Sequence, residues 1–466
     1  MLFVLAAKEW ATNLLELRFL VCASLCVFLG VVSVFVLRAD LVAKRTDFHS
    51  NQSVYRSQAE EYGSYRQLQR QGVRVDRPPQ NFQVLFYGVE KTLDRSAVIS
   101  DDYLPGFEGD INSNPSVLLF PVADMLFVVG VVLSLLAFFM SYDAVAGERE
   151  RGTLKLLLSY SVPRDTLILA KWVGGYLSLA LPFLVSLALS ALLISASDDI
   201  PFRGSDWEAF FVAGVVSLLL IAVMFSIGLL VSVRARQSST AILSLLALWV
   251  ILALVLPNSG PYLAEVVSPV PGVGEVERTI AQRTKGLSDE YAAGWRRSGR
   301  RMRNMTGEQR AEFRRERTKA REQLQVAVNE ATEEVIRDFE RQLRQQIEVA
   351  RTITRLSPVA AFVYANTDIG ETGVRHERRL VNGLREYQHQ FARYVAEKQE
   401  ASSGGGDFGF GEDDDYDIDD MPVFQQREDH LSDRLAARSV DMLLLVVFAI
   451  LFFMAAFVSF LRTDIT

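Results

Sequence analysis

The hydrophobic pattern divides the chain into six long apolar segments separated by polar stretches. A helix that rises 1.5 Å per residue needs roughly 17–25 apolar residues to cross a hydrocarbon core about 30 Å thick. The segments are Phe19–Leu37, Ser116–Met140, Trp172–Ala196, Ala209–Val233, Thr240–Leu256 and Val440–Leu461. The pattern therefore predicts an all-α membrane protein with six transmembrane helices.

Residues 1–18 precede the first apolar segment and place their own apolar residues at helical spacing. Lys8, Glu9 and Arg18 are among the polar positions, and Trp10 belongs to a residue type that is enriched at the lipid headgroup level. These features predict an interfacial amphipathic helix along the membrane surface. A plain cytosolic start is the alternative.

The long polar segment after the fifth span contains two narrow apolar stripes at helical spacing. The first runs from Leu324 to Ile347, and the second runs from Leu380 through Leu384 to Tyr394. We expect the two helices to pair as an antiparallel hairpin. The alternative is that each is a solvated helix packing elsewhere.

Three shorter stretches also carry expectations. Phe82–Tyr87 predicts a short strand, and the apolar stretch Ser357–Ala365 is expected to touch the membrane surface. A glycine-rich run leads into Glu412–Asp420, in which seven of nine residues are acidic. This composition predicts a disordered acidic loop at 402–420. A calcium site is the alternative, although the EF-hand spacing is missing.

The charges of the short loops predict the orientation in the membrane. The loop at 198–208 has Arg203 as its one basic residue. Seven basic residues lie in the loops on the opposite side: Arg149, Arg151, Lys155, Arg164, Lys171, Arg234 and Arg236. The positive-inside rule therefore places loop 141–171 in the cytoplasm and both long polar segments outside.

Charge and motif content narrow the function classes. The formal net charge is −7, and no basic run suits nucleic acid, so no nucleic-acid partner is expected. No GxxxxGK[ST] phosphate loop occurs, so no cofactor is expected on this chain. The predicted spans lack a central charged residue, which argues against an ion-coupled transporter. No catalytic or metal-binding constellation is found, and Cys22 and Cys26 are interpreted as small packing residues.

The loop between the second and third apolar segments carries the most specific pattern in the chain. It is too charged to enter hydrocarbon. Its sequence runs through the cluster Glu148-Arg149-Glu150-Arg151, then Gly152-Thr153, the apolar turn Leu154–Leu158, and Pro163. Thr153 is expected to cap a short helix, which Pro163 keeps from continuing. A short helix in water with a leucine face is suited to docking on another protein. The alternative is a solvated loop with ordinary positive-inside charges.

The stretch GERERGTLKLLLSYSVPR at 147–164 resembles the cytoplasmic loop of type-2 ABC exporter permeases. The similar branch includes permeases of multi-copper-enzyme maturation and gliding-motility systems. The resemblance covers residues 116–258 strongly, and the N-terminal segment, Leu356–Phe362 and the last span more weakly. It implies a permease subunit of the bacterial inner membrane, whose coupling helix sits in a groove of a separate ABC ATPase that binds ATP and Mg²⁺.

The resemblance also implies roles and partners. Polar docking falls to Glu148, Arg149, Glu150 and Arg151, apolar contact falls to Leu156 and Leu157, and Gly152 and Thr153 lie between these groups. A second permease is implied, either a copy of this chain or a sister subunit. Membrane lipid is a further partner, and an extracytoplasmic protein is a possible one.

The predicted organisation follows from these patterns. Its parts are an interfacial helix at 1–18, a first span at 19–37, a loop domain at 38–115, a four-span core at 116–258, an extracytoplasmic helical domain at 259–438, and a last span with a short tail at 439–466. The predicted function is an ATP-driven exporter permease. The main alternative is a membrane-anchored protein that transmits ATPase motion to outside partners without moving a substrate; a membrane enzyme is a third.

Overall fold

The computed structural model describes residues 2–89, 95–100, 106–108, 123–159, 163–299, 306–402, 416–426 and 439–462. Within these residues the chain is almost entirely helical, and six helices are long and apolar enough to cross a membrane. They are Leu17–Glu60, Met125–Glu150, Arg164–Ser195, Gly204–Arg234, Ser238–Val267 and Ser439–Leu461. The prediction of an all-α membrane protein with six spans is confirmed.

The described elements are numbered here in chain order. The helices are α1 (Leu2–Leu15), α2 (Leu17–Glu60), α3 (Tyr65–Gln71), α4 (Met125–Phe127), α5 (Ser134–Ser141), α6 (Ala146–Glu150), α7 (Thr153–Ser159), α8 (Arg164–Ser195), α9 (Gly204–Arg234), α10 (Ser238–Trp249), α11 (Leu256–Val267), α12 (Val273–Gly299), α13 (Gly307–Thr354), α14 (Pro358–Ile369), α15 (Val374–Ser402) and α16 (Ser439–Leu461). The strands are β1 (Val73–Asp76), β2 (Ser96–Ile99) and β3 (Gly106–Glu108). Two π-helical stretches, π1 (Val128–Leu133) and π2 (Val250–Val255), interrupt spans two and five.

The N-terminal helix α1 has one face on protein and one exposed apolar face. A Cβ added at Gly174 of α8 would lie 2.8 Å from the Cβ of Glu9, so the missing side chain lets the two helices approach closely. Phe3, Val4 and Leu15 point away from the protein and are largely exposed. An exposed apolar face beside a protein-bound polar face is the pattern of an interfacial helix.

Helix α9 lies at the centre of the bundle, with 72% of its most apolar window buried, against 17% in α16. Glycines set its closest contacts. A Cβ at Gly228 would lie 1.8 Å from the hydroxyl of Ser141 on α5, and a Cβ at Gly175 on α8 would lie 2.2 Å from the ring of Phe225. Small residues at these points let the backbones approach, as is usual where membrane helices pack.

The first described helix of span two starts at Met125. Asp124 caps it by accepting a hydrogen bond from the amide of Phe127 at 2.9 Å. The predicted start of the span at Ser116 lies outside the described residues, as do all of residues 116–122. An acidic N-cap satisfies amides that have no partner within the helix, which fixes this boundary.

The short helix α14 is buried within the bundle, whereas the sequence predicted that it touches the membrane surface. Phe362 and Val359 lie within 4 Å of the position that a Cβ at Gly130, in π1, would occupy. The hydroxyl of Ser357 accepts from the amide of Ala360 and donates to the carbonyl of Leu252, in π2. α14 therefore packs beside both π1 and π2, and the hydroxyl of Ser357, which caps α14, donates a hydrogen bond to a backbone carbonyl of π2.

A small antiparallel sheet, in the order β1-β2-β3, packs with α3 and α15. The predicted strand at Phe82–Tyr87 is wrong: Asn81–Val84 form a 3₁₀ turn, and the nearest strands are β1 and β2. The stripe of α15 is buried against this sheet. The buried members of the cluster include Tyr65, Leu68, Val73, Ile99, Leu380, Leu384, Tyr387 and Phe391.

The end of the predicted acidic loop, residues 416–420, lies on the same small domain together with the residues that follow it up to 426. The hydroxyl of Tyr394 donates to the Asp420 carboxylate at 3.0 Å, and Lys398 forms an ion pair with it at 2.8 Å. Burial and the hydrogen bond to Asp420 raise the pKa of Tyr394, and the Lys398 contact lowers the pKa of Asp420. The predicted disorder of this loop does not extend to residues 416–426; residues 403–415 lie outside the described part of the chain.

These two pKa shifts predict a pH window for the attachment of residues 416–426. The raised pKa of Tyr394 means that its contribution to stability is complete below about pH 10 and is lost as pH rises through the folded value. The lowered pKa of Asp420 means that its contribution is present above about pH 4 and is lost as pH falls through its folded value. Tyr394→Phe should therefore speed hydrogen exchange in this segment about two- to tenfold at pH 7. Arg393→Lys serves as a control, and equal exchange in both variants would contradict the attachment.

Residues Asn258–Thr354 form a second compact unit, and the rest of the chain forms the first. In the second unit α12 and α13 pair as an antiparallel hairpin: Arg283 contacts Glu334 at 3.0 Å, and the Trp295 and Phe313 rings lie 5.2 Å apart. Helix α13 therefore forms an antiparallel hairpin as predicted, but its partner is α12 and not α15. The sequence paired the stripe of α13 with that of α15, but α15 has the sheet and α3 as its neighbours because its larger aromatic residues fill that core.

Candidate coupling site

The loop between spans two and three folds into two short helices, α6 and α7, joined at Gly152. Gly152 has φ +75°, a left-handed conformation that glycine adopts without strain, and no atom lies within 4 Å of its Cβ position. The hydroxyl of Thr153 donates to the carbonyl of Glu148 at 3.2 Å across this turn. Thr153 thus ties α7 back to α6, in place of the amide cap that the sequence predicted.

Helix α6 is held against the end of α9 and the start of α10. The amides of Val145 and Ala146 donate to the hydroxyl of Ser232 at 3.0 and 3.1 Å. The guanidinium of Arg149 donates to the carbonyls of Val233, at 3.0 Å, and Ala235. The last carbonyls of a helix lack partners within it, so Arg149 supplies donors where α9 ends.

Glu150 makes the corresponding contact at the start of α10. Its carboxylate accepts from the amide of Ser238, the first residue of that helix, at 3.1 Å. The first amides of a helix also lack partners within it, and the positive end of its dipole favours a carboxylate. Arg149 and Glu150 therefore connect α6 to both sides of the turn between spans four and five.

A buried ion cluster connects the loop to α1 and α8. The ammonium of Lys171 lies 2.6 Å from Glu148 and 3.1 Å from Glu9, and its side chain is only 3% exposed. Burying a charge is costly unless it is paired, so this geometry holds the three helices in one arrangement. Glu148 was expected to lie in water as a docking group, but it faces inward. We call Glu9, Glu148 and Lys171 the lysine cluster.

The leucines of α7 divide between a buried and an exposed side. Leu154 is 3% exposed and packs with Val145, Ile168 and Val233, whereas Leu156 is 65% exposed. Leu157 is half-buried. The exposed side also carries Arg151, Gly152, Thr153 and Lys155. We call this set, with Leu156, the docking face.

The sequence pointed to this loop but did not show the residues that hold it in place. Glu9, Ser232 and Ser238 are distant in the chain and become neighbours of the loop only in the fold. Lys171 could have been recognised from the sequence as a residue that holds the loop, because an ionisable residue next to an apolar span needs a charged partner. Arg18 gave a similar one, and its guanidinium contacts Asp143 at 2.9 Å.

The fold and this site define a helical membrane protein with an anchored loop between spans two and three. The family model for the ABC-2 family transporter proteins matches residues 3–465. The chain belongs to this family, whose members are multi-pass permeases of the bacterial inner membrane.

Curated relatives match a part of the chain. The probable ABC transporter permease protein NosY of Pseudomonas aeruginosa is 36% identical over 134 residues, which are 28% of this chain and 46% of that protein. NosY of Stutzerimonas stutzeri is 32% identical over 134 residues, 29% of this chain and 49% of that protein. The probable multidrug ABC transporter permease YbhS of Escherichia coli is 30% identical over 113 residues, 24% and 28% of the two chains. The chain spans about half the length of the NosY relatives and less of YbhS.

Proposed function

We propose that this chain is the membrane subunit of an ATP-driven exporter, and that α7 couples it to a separate ATPase. The observation that carries the proposal is Leu156, a large apolar side chain left 65% exposed on α7. The adjoining helix α6 is bonded to α8, α9 and α10 and, through Lys171, to α1. Solvent-exposed apolar groups on a rigid support commonly mark a protein interface. ATP and Mg²⁺ would be bound by the ATPase.

The contacts of α6 support a route for the motion. A displacement of the docking face is carried into α9 and α10 by Arg149 and Glu150, because both residues bond to the ends of those helices. The lysine cluster carries the same displacement into α1 and α8. Movement of α7 is passed to α6 across the Gly152 turn, which the hydrogen bond from Thr153 to Glu148 closes, and from α6 to spans three, four and five.

This arrangement revises the roles that the resemblance implied. Glu148 and Arg149 support α6 from inside, Glu150 is exposed but bonds to the amide of Ser238, and the contact with the ATPase falls to Arg151, Leu156 and the neighbouring exposed atoms. Leu157 contributes through its exposed half. A second permease, either a copy of this chain or a sister subunit, completes the proposed transporter.

A second candidate function is mechanical work on partners outside the membrane without substrate movement. It is favoured by the size of the parts that lie beyond the spans, which include the sheet domain and the hairpin of α12 and α13. The same ATPase contact serves both functions. Substrate-dependent stimulation of ATP hydrolysis would favour export over this alternative.

The test is Leu156→Asp in the full chain, co-expressed with the ATPase that co-purifies with it from membranes. Losing an apolar contact of about 1–3 kcal/mol and placing a charge there should weaken ATPase binding tenfold or more. Asn382→Asp, an exposed position on α15 outside this loop, is the control and should bind normally. Normal ATPase binding and turnover in Leu156→Asp would remove the basis for the coupling assignment.

A further inference from the structure

Helix α13 presents a charged face that α12 does not cover. Val335 is 9% exposed in the hairpin, whereas Val326 is 56% exposed on a different side of the helix. Val326 and Ala327 lie in a shallow, open groove on the surface of α13 that is bordered by Lys319, Glu322, Gln323 and Glu330 of the same helix. An apolar residue and a small residue at the centre of a charged helical face form a surface on which another helix can pack.

The charges on this face are arranged symmetrically about the groove. On the side toward the start of α13 lie Lys319 and Arg315, and on the other side lie Glu330 and, at the edge of the face where it also contacts Arg283 of α12 at 3.0 Å, Glu334. Positions three, four or seven residues apart share one face of a helix, so each set points the same way. Reading outward from the groove, Lys319 and Arg315 each have an acidic residue at the matching distance on the other side.

We propose that this face binds the same face of a second copy of the chain, with the two α13 helices antiparallel and Gln323 opposite Val326. In this register Lys319 of each copy lies opposite Glu330 of the second copy, and Arg315 lies opposite Glu334. Two-fold symmetry forms each pair twice, as in any isologous contact. Ala327 at the centre allows the two helices to approach closely.

Positions farther from the groove also pair opposite charges, but here the acidic residues lie toward the start of α13 and the basic residues lie on the other side. Glu312 lies opposite Arg337 of the second copy, and Glu308 lies opposite Arg341. One like-charge pair, Glu316 with Glu333, is the exception. Arg337 lies 2.8 Å from Glu333 in the same helix and offsets that repulsion.

The order of the charges along α13 indicates which partner binds this face. A parallel pair of α13 helices would place Lys319 against Lys319 and Glu330 against Glu330, which is unfavourable. An anionic membrane surface would be repelled by Glu312, Glu322 and Glu330. A partner that fits the whole face needs both signs in the opposite order, which this chain itself supplies. The inference concerns the hairpin and is independent of the ATPase contact.

The test is site-directed cross-linking of the full-length chain in membranes, with Cys22 and Cys26 replaced by serine. One tagged copy carries Gln323→Cys and a differently tagged copy carries Val326→Cys, and a short bis-maleimide is added. We expect a cross-linked pair that carries both tags. Gln345→Cys, exposed on the same helix about 30 Å from Val326 at 1.5 Å per residue, replaces Gln323→Cys in the control and should give little product.

Charge variants test the register independently of the cysteine geometry. Lys319→Glu places like charges against Glu330 twice and should lower the cross-linking yield on the order of tenfold. The double variant Lys319→Glu with Glu330→Lys should restore the yield. Arg321→Glu, an exposed reversal on another side of α13, should leave it unchanged.

Three outcomes would overturn the proposal. They are equal yields from the Gln323 and Gln345 positions, absence of rescue in the double variant, and a Val326→Cys thiol that is protected from water-soluble reagent without forming a cross-link between copies. The last result would assign the face to a different protein. ATPase co-purification is measured on the same variants, so that a failed hairpin contact is distinguished from failed coupling.

Discussion

Replacing Lys171 with methionine is expected to destabilise the protein by roughly 3–5 kcal/mol, the usual cost of removing one partner from a buried ion pair. Lys171 is 3% exposed and holds two carboxylates, Glu148 at 2.6 Å and Glu9 at 3.1 Å. Methionine keeps much of the side-chain volume but leaves both carboxylates without their cation. The measurement is thermal unfolding of the purified chain in detergent, together with its level in the membrane.

Two further variants make this result specific. Lys8→Met removes an exposed lysine from α1 and should leave the unfolding temperature unchanged. Adding Glu148→Gln to Lys171→Met should recover part of the loss, because a neutral amide is less costly to bury than an unpaired carboxylate. If Lys171→Met unfolds at the wild-type temperature, the lysine cluster does not hold the loop to α1 and α8.

The second large effect is expected for Leu384→Asp, which should destabilise the sheet domain by more than about 3 kcal/mol. Leu384 is 3% exposed in the cluster formed with Tyr65, Ile99 and Phe391. The substitution removes a buried leucine, which typically costs about 2–5 kcal/mol, and adds the cost of burying a carboxylate. Limited proteolysis and thermal unfolding of the full chain provide the measurement.

The control for this prediction is Asn382→Asp, an exposed position on the same helix that should change stability by less than about 0.5 kcal/mol. A fragment of residues 275–400 contains α15 without α3, the sheet or residues 416–426. Leu384→Asp should therefore leave the melting of that fragment unchanged. A clear loss of stability in the fragment would mean that α15 pairs with the hairpin, as the sequence alone suggested.

The lysine cluster changes the interpretation of the charged loop. In the sequence, Glu148, Arg149 and Glu150 looked like a hydrophilic docking surface, because alternating charges usually lie in water. In the fold these three residues bond to Lys171, to the end of α9 and to the start of α10. A charge reversal at Glu148 would therefore disturb the structure as well as any ATPase contact. Leu156 is the better position for testing coupling, because its side chain is largely exposed and a substitution there leaves the contacts of α6 in place.

The sequence by itself determined the class of this protein and the location of the charged loop between spans two and three. Six spans could be predicted because a helix that crosses hydrocarbon must be long and apolar. Each span between Phe19 and Leu461 is therefore visible in the sequence as its own run of consecutive apolar residues. The loop pattern around Gly152 was equally local. Apolar spacing also identified the helices of the polar segments, including α13 and α15.

The tertiary structure decided which surfaces meet. Spacing marks a helix face as apolar but does not name its partner, so α15 was assigned to α13 although its aromatic residues fill the sheet domain. The apolar stretch of α14 was compatible with a membrane surface or a protein interior, and packing against π1 and π2 chose the interior. The direction in which Glu148 points depends on Lys171 and Glu9, 23 and 139 residues away in the chain. Long-range pairing of this kind follows from the whole fold, because the free energy of burying a charge depends on every group around it.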